Sequence, residues 1–126
     1  MSAGNRRALQ RSLAPLALMG LIFYVSSLPA DPDVAWWEPI ARTVGHITGY
    51  AVLTLLWSWA LAGVVRRPVT CAAAISLAYA ATDEYHQTFV ESRDGTVSDV
   101  VIDAVGIAIA ALLIGRLRAS GRVARA

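Results

Sequence analysis

Four apolar segments, separated by short polar or proline-containing stretches, constrain the fold of this chain more than any other feature. They span about residues 13–28, 43–65, 69–87 and 97–115. Each is close to the length of about 20 residues that an α-helix needs to cross the hydrocarbon core of a bilayer. The sequence therefore predicts an all-α polytopic membrane protein with four transmembrane helices, formed by a single domain over residues 1–126.

The composition favours a membrane environment over an aqueous one. Hydrophobic residues make up 56% of the chain and charged residues only 16%, whereas soluble domains carry about 25% charged residues. Cys71 is the only cysteine, so no disulfide can form within the chain. The sequence has neither a phosphate-binding glycine loop nor a zinc-ligand cysteine pair, and we expect no nucleic-acid partner.

The arginines predict the orientation of these helices. Nine of the eleven basic residues lie before the first apolar segment, between the second and third, or after the fourth. Four crossings would place these three groups on one side of the membrane, which the positive-inside rule makes cytoplasmic. We therefore expect cytoplasmic N and C termini, and all nine acidic residues on the outer half. The alternative for the first segment is a cleaved signal peptide, because it has a basic start and an apolar centre.

The segment between the first two apolar runs is predicted to be an outer loop. Residues 29–41 contain three prolines and three acidic residues, which argues against a long regular element. The adjacent Trp36 and Trp37 are typical of residues that anchor a protein at the membrane interface. Stacking of this pair on a ligand is the alternative.

A polar face is predicted near the start of the second helix. Arg42, His46 and Tyr50 are spaced four residues apart, so they share one side of a helix. Gly45 and Gly49 flank them, and we expect these glycines to allow close approach of a neighbouring helix. A structural hydrogen bond from His46 and an Arg42 that only reaches toward water are the alternatives to a functional site.

Six of the nine acidic residues lie between Asp83 and Gly106. Asp83, Glu84 and Gln87 are expected at the outer end of the third helix, where carboxylates face the negative end of the helix dipole. A cation, a proton or a metal ion would offset that unfavourable arrangement. A solvated acidic helix end is the alternative.

The fourth helix adds two more carboxylates. The spacing of Thr96 and Asp99 is that of a capping box, so Asp99 is expected to cap this helix. Asp103 lies one turn deeper on the same face and should point into the helix bundle, because an ionised group within the membrane is costly. Gly106 would let a neighbouring helix approach that face.

The stretch D-E-Y-H-Q-T-F-V-E-S-R-D-G-T-V-S-D-V-V-I-D-A-V-G, residues 83–106, resembles the signature of the VanZ-like family. F-Y-V-S-S-L-P in the first helix and R-T-V-G-H-I-T-G-Y in the second extend the resemblance to about residues 13–115. Family members often have lysine at position 42, Pro-Gly at 91–92 and asparagine at 103. The resemblance implies a multi-pass protein of the bacterial cell membrane. It also implies a connection with low-level resistance to the glycopeptide teicoplanin.

Three functions compete. In the first, an outward-facing polar site binds envelope lipid, a cell-wall precursor or the glycopeptide itself, and lowers antibiotic susceptibility. In the second, the protein is an enzyme acting on a phosphorylated or glycosylated lipid of the outer leaflet. In the third, a small exporter couples drug efflux to protons through an acidic residue within the membrane.

The same residues would serve the first two functions. The catalytic candidates, as general bases, acid/base partners or metal ligands, are Asp83, Glu84 and His46. The binding candidates are Arg42, Tyr50, Gln87, Arg93, Asp99 and Asp103. Arginine suits an anionic substrate group, and Asp103 is the proton-coupling candidate of the third function. The sequence leaves the cofactor, the metal requirement and the oligomeric state open.

Overall fold

The computed structural model describes residues 1–29, 31 and 33–125, without the side chains of residues 122–125. These residues form four α-helices and no β-strand, which confirms the predicted all-α class. The helices are α1 (Ala3–Ser27), α2 (Glu38–Leu61), α3 (Pro68–Gln87) and α4 (Val97–Arg125). Three of them, α1, α2 and α4, are long and apolar enough to cross a membrane.

Local chemistry explains where the helices begin and end. Pro39 and Pro68 lie in the first turns of α2 and α3, where the missing amide proton would have no helical acceptor. Gly63 adopts a φ of 78° just after α2, so this helix ends at Leu61 and not near residue 65 as predicted. A residue with that φ cannot continue a right-handed helix.

The first and last helices, α1 and α4, are longer than the predicted apolar segments. α1 begins at Ala3, and the Ser2 hydroxyl accepts a hydrogen bond from the Asn5 amide at 3.2 Å. α4 continues through the basic tail to Arg125. The prediction followed hydrophobicity, which marks the membrane-spanning part of a helix. It does not mark the point at which backbone hydrogen bonding stops.

The helices pack around α2, which contacts each of the other three. α1 also touches α3, whereas no contact joins α1 to α4 within the described part of the chain. The guanidinium of Arg11 lies 5.1 Å from the centre of the Trp59 ring, so the beginning of α1 lies beside the end of α2. Tyr50, Leu53, Ala80 and Ile107 form the buried apolar core.

Glycines decide how closely α2 and α4 approach. A Cβ atom at Gly106 would collide with the backbone of Ile47, so the predicted close approach at Gly106 is confirmed. The same expectation for Gly45 and Gly49 is wrong, because a Cβ atom at either position would meet no atom within 4 Å. These two glycines border open space instead, and that space is the cavity described next.

Candidate functional site

A cavity of about 800 Å³ lies between α1 and α2 at the end of the bundle that carries the acidic residues. Leu21, Ile22 and Val25 of α1 form an apolar wall. Gly45 and Gly49 of α2 line the cavity without side chains that would fill it. The predicted site residues that line this cavity are Arg42, His46, Tyr50, Asp83, Gln87, Arg93 and Asp99. Thus predicted site residues of α2, α3, α4 and the loop between α3 and α4 line one cavity.

Asp83 is the hub of the hydrogen bonds at the base of the cavity, and its side chain is buried. Its Oδ1 accepts a hydrogen bond from the Ser26 hydroxyl at 2.5 Å. Its Oδ2 accepts longer bonds from the Tyr50 hydroxyl, at 3.5 Å, and from Gln87 Nε2, at 3.4 Å. One carboxylate therefore ties α1, α2 and α3 together and still faces the cavity.

His46 and Asp103 form a second polar pair, across the interface of α2 and α4. Nδ1 of His46 lies 2.7 Å from Oδ1 of Asp103. The Asp103 side chain is fully buried, as predicted for a carboxylate pointing into the bundle, and it is not among the residues that line the cavity. When Nδ1 carries the proton, it donates to Asp103, and this bond orients the His46 ring, which lines the cavity.

Glu84 is separated from the other predicted catalytic residues. Its Oε1 accepts the amide hydrogen of Thr96 at 2.9 Å, at the beginning of α4. It lines a second, smaller space beside Gly95 and Thr88. The trio of Asp83, Glu84 and His46 thus divides into two residues at the main cavity and one that anchors the loop before α4.

This anchoring changes the predicted capping of α4. The Thr96 hydroxyl accepts a hydrogen bond from the Asp99 amide at 3.3 Å, which is one half of a capping box. In the other half, the Asp99 side chain would accept a hydrogen bond from the Thr96 amide. That amide donates to Glu84 instead. The Asp99 carboxylate lies instead 3.5 Å from Arg42 NH2, so the prediction that Asp99 caps the helix is wrong.

The two arginines near the cavity have different partners. Arg42 reaches Asp99 and the side-chain oxygen of Gln87, the latter at 3.3 Å, while its side chain stays 43% exposed. Arg93 Nε donates to the carbonyl of Leu28 at 2.7 Å, and its NH2 donates to Val25 at 3.4 Å. Burial lowers the pKa of the Arg93 guanidinium, and the charge of Arg42 lowers it further. Arg93 therefore caps the end of α1, and Arg42 has more freedom to meet a ligand.

Two contacts near the site involve residues outside the predicted set. Ser26 is the closest partner of Asp83, and the Ser27 hydroxyl lies 3.0 Å from Nε2 of His86. The His86 ring also stacks on Phe23, with centroids 4.5 Å apart. The sequence signal was a pair of serines at the end of an otherwise apolar segment, within the stretch F-Y-V-S-S-L-P that carries part of the family resemblance. That signal did not distinguish a contact with another helix from a hydrogen bond to a backbone carbonyl of the same helix. Both hydroxyls also make the latter bond.

The described residues contain no group of three histidine, cysteine or acidic side chains placed to hold a metal ion. The site as folded is thus a set of hydrogen-bonding groups and charges beside an apolar wall. Such a set can bind an amphipathic molecule, and His46 can exchange a proton with it.

Comparison with known families gives a match over residues 8–118 to the family described as VanZ/LLP1. The chain belongs to the VanZ/LLP1 family. YwnJ of Bacillus subtilis (strain 168), an uncharacterized membrane protein, is 42% identical over 73 residues. This alignment covers 57% of the chain and 47% of YwnJ, so the chain matches about half of the length of that relative. No solved structure matches the chain.

The family match and the apolar helices make this VanZ/LLP1 protein a multi-pass membrane protein that contacts lipid. The matched segment includes the whole candidate site, from Ser26 to Asp103. The resemblance drawn from residues 83–106 is therefore confirmed.

Proposed function

We propose that this VanZ/LLP1 protein binds the polar head of an envelope lipid, or of a lipid-linked cell-wall precursor, at the outer face of the membrane. The observation that carries the proposal is the cavity between α1 and α2. It joins an apolar wall to a set of polar side chains, which is the chemistry of an amphipathic ligand. Arg42 is the side chain that would hold a phosphate group, because a guanidinium matches phosphate geometry.

The proposal includes a topology. α3 has 20 residues and so a length of about 30 Å at 1.5 Å per residue, which equals the hydrocarbon thickness. We take it as a fourth span, packed against α2 and α4. With the arginine groups in the cytoplasm, the cavity would open toward the outer leaflet, where precursor lipids are used.

The proposed consequence is a lower susceptibility to teicoplanin. A protein that engages precursor lipid at the outer leaflet would reduce access of a glycopeptide to it. The test is expression in a sensitive host of the wild type and of Arg42→Gln and Asp83→Asn, at matched membrane levels. Arg67→Gln, outside the cavity, is the matched control.

Protection by the wild type and by Arg67→Gln, with loss in the two cavity variants, is the expected result. Equal protection by all four proteins would contradict a role for the cavity. If the wild type itself does not protect, the resistance role fails, and direct binding of phospholipid to the purified protein then decides whether the lipid site stands.

A second candidate function, a membrane enzyme acting on a phosphorylated lipid, is favoured by the His46–Asp103 pair. A histidine that lines a cavity and is oriented by a buried carboxylate suits a general base. The test is turnover of outer-leaflet phospholipid by the purified protein. Loss of turnover in His46→Gln with lipid binding retained would favour the enzyme over the binding protein.

The exporter stays a prediction, tested by whether drug efflux depends on Asp103 and the proton gradient.

A further inference from the structure

The cavity presents a ladder of different chemical groups along α2. Glu38, Arg42, His46 and Tyr50 follow each other at four-residue intervals, and all four line the cavity. At 1.5 Å per residue, successive groups are about 6 Å apart along the helix axis. A ligand lying along this wall would therefore meet a carboxylate, a guanidinium, an imidazole and a phenol in that order.

The described residues that line the cavity carry more negative than positive groups. Four carboxylates, from Asp31, Glu38, Asp83 and Asp99, stand against the guanidinium groups of Arg42 and Arg93. Arg42 is close to Asp99, and Arg93 donates to backbone carbonyls. A ligand with negative charge alone would meet a net repulsion here, whereas a ligand with charges of both signs would not.

The order of the groups fits one kind of headgroup. The apolar wall at Leu21 and Ile22 lies toward the middle of α1, and Arg42 lies closer to the polar end. Glu38, the first residue of α2, lies one turn beyond Arg42, and Asp31 of the preceding loop also lines the cavity. One Glu38 oxygen, Oε1, accepts the Ala35 amide at 3.2 Å, which leaves Oε2 for a ligand. From the middle of the bundle toward its polar end, the cavity therefore offers apolar surface, then a cation and then carboxylates.

We infer that the cavity selects a zwitterionic, amine-bearing phospholipid of the phosphoethanolamine type over an anionic phospholipid. Its acyl chains would lie on the α1 wall, its phosphate at Arg42, and its terminal ammonium at Glu38 and Asp31. In such a lipid the ammonium follows the phosphate after a two-carbon link, on the side away from the tails. This inference rests on the proposed function, because it specifies the ligand of the same site.

The test compares two probes on detergent-purified protein, phosphatidylethanolamine and phosphatidylglycerol of identical acyl chains. We expect the wild type to bind phosphatidylethanolamine about twofold to fivefold more tightly, as one partly exposed ion pair gives. Asp31→Asn with Glu38→Gln should remove this preference and keep binding of phosphatidylglycerol, which also shows that the double variant is folded. Asp33→Asn, a loop carboxylate outside the cavity, is the matched control and should keep the preference.

The remaining outcomes separate the two proposals. Equal binding of both lipids by the wild type, with loss in Arg42→Gln, would overturn the selectivity and leave the lipid site intact. A preference that survives in the double variant would overturn the assignment of the ammonium to Glu38 and Asp31. If the wild type binds neither lipid, both the selectivity and the proposed phospholipid site are overturned.

Discussion

Nδ1 of His46 lies 2.7 Å from Oδ1 of Asp103, across the contact between α2 and α4. Directly beside this pair, Gly106 brings the backbone of α4 against Ile47 of α2. The glycine thus sets the helix separation at which the two side chains can reach each other. The contact with buried Asp103 and the close approach at Gly106 together fix the position of His46 at the cavity.

A double-mutant cycle should detect this pair. We expect Asp103→Leu and His46→Leu to be coupled by about 0.6 kcal/mol and by no more than about 1.7 kcal/mol, the values that double-mutant cycles give for interhelical hydrogen bonds in membranes. Unfolding of the single and double variants in mixed micelles measures the coupling. Asp103→Asn should keep most of the stability, because its side-chain oxygen can accept the same N–H. A coupling near zero would contradict the pairing.

Gly106→Ala should destabilise the protein. The added Cβ would collide with the Ile47 backbone, and overpacking of this kind costs about 1–3 kcal/mol. Gly115→Ala, in the same helix, is the matched control, because its Cβ would meet no atom within 4 Å. It should be neutral or stabilise by about 0.5–1 kcal/mol, since alanine is the better helix former. Equal thermal stability of both variants would exclude the close contact.

Gly49→Leu should block the cavity without harming the fold. Gly49 lines the cavity, and a Cβ there meets open space, so the leucine side chain would occupy volume that a ligand needs. Phospholipid binding to the purified variant is expected to fall, with thermal stability equal to the wild type or higher. Gly20→Leu, on α1 and outside the cavity, also meets open space and should bind lipid normally. Unchanged binding in Gly49→Leu would place the ligand elsewhere.

Arg93→Ala should loosen the end of α1. The variant loses the hydrogen bonds to the carbonyls of Leu28 and Val25, each worth about 1 kcal/mol. Hydrogen exchange of residues 22–29 should therefore become faster. Arg42→Ala leaves these bonds in place and should not change exchange in that segment, although it should weaken lipid binding. Equal exchange in both variants would contradict the capping role of Arg93.

Periodicity and composition predicted the class of fold and part of the site. The four apolar segments predicted four helices, and the resemblance of residues 83–106 predicted the family. The four-residue spacing of Arg42, His46 and Tyr50 placed them on one face, and all three line the cavity. These features depend on local geometry and on the cost of polar groups in lipid, so a linear sequence contains them.

Partners across helices could not be predicted in this way. Thr96 and Asp99 have the spacing of a capping box. Glu84 nevertheless accepts the hydrogen bond of the Thr96 amide, and the Asp99 carboxylate pairs with Arg42. Arg93, a predicted binding residue, lines the cavity and also donates to the backbone carbonyls of Val25 and Leu28 in and after α1, which its position in the sequence did not predict. In both cases the partner lies more than ten positions away along the chain.

The sequence by itself determined that the chain forms apolar helices in a membrane with its acidic residues near one end. Hydrophobic burial and backbone hydrogen bonding act over one turn of helix, so their pattern can be read along the chain. The tertiary structure alone decided which carboxylate does what: Asp83 joins three helices, Asp103 holds His46, and Glu84 anchors a loop. Those roles depend on the separation and rotation of packed helices, to which the packing of Gly106 against Ile47 and the open space at Gly49 contribute.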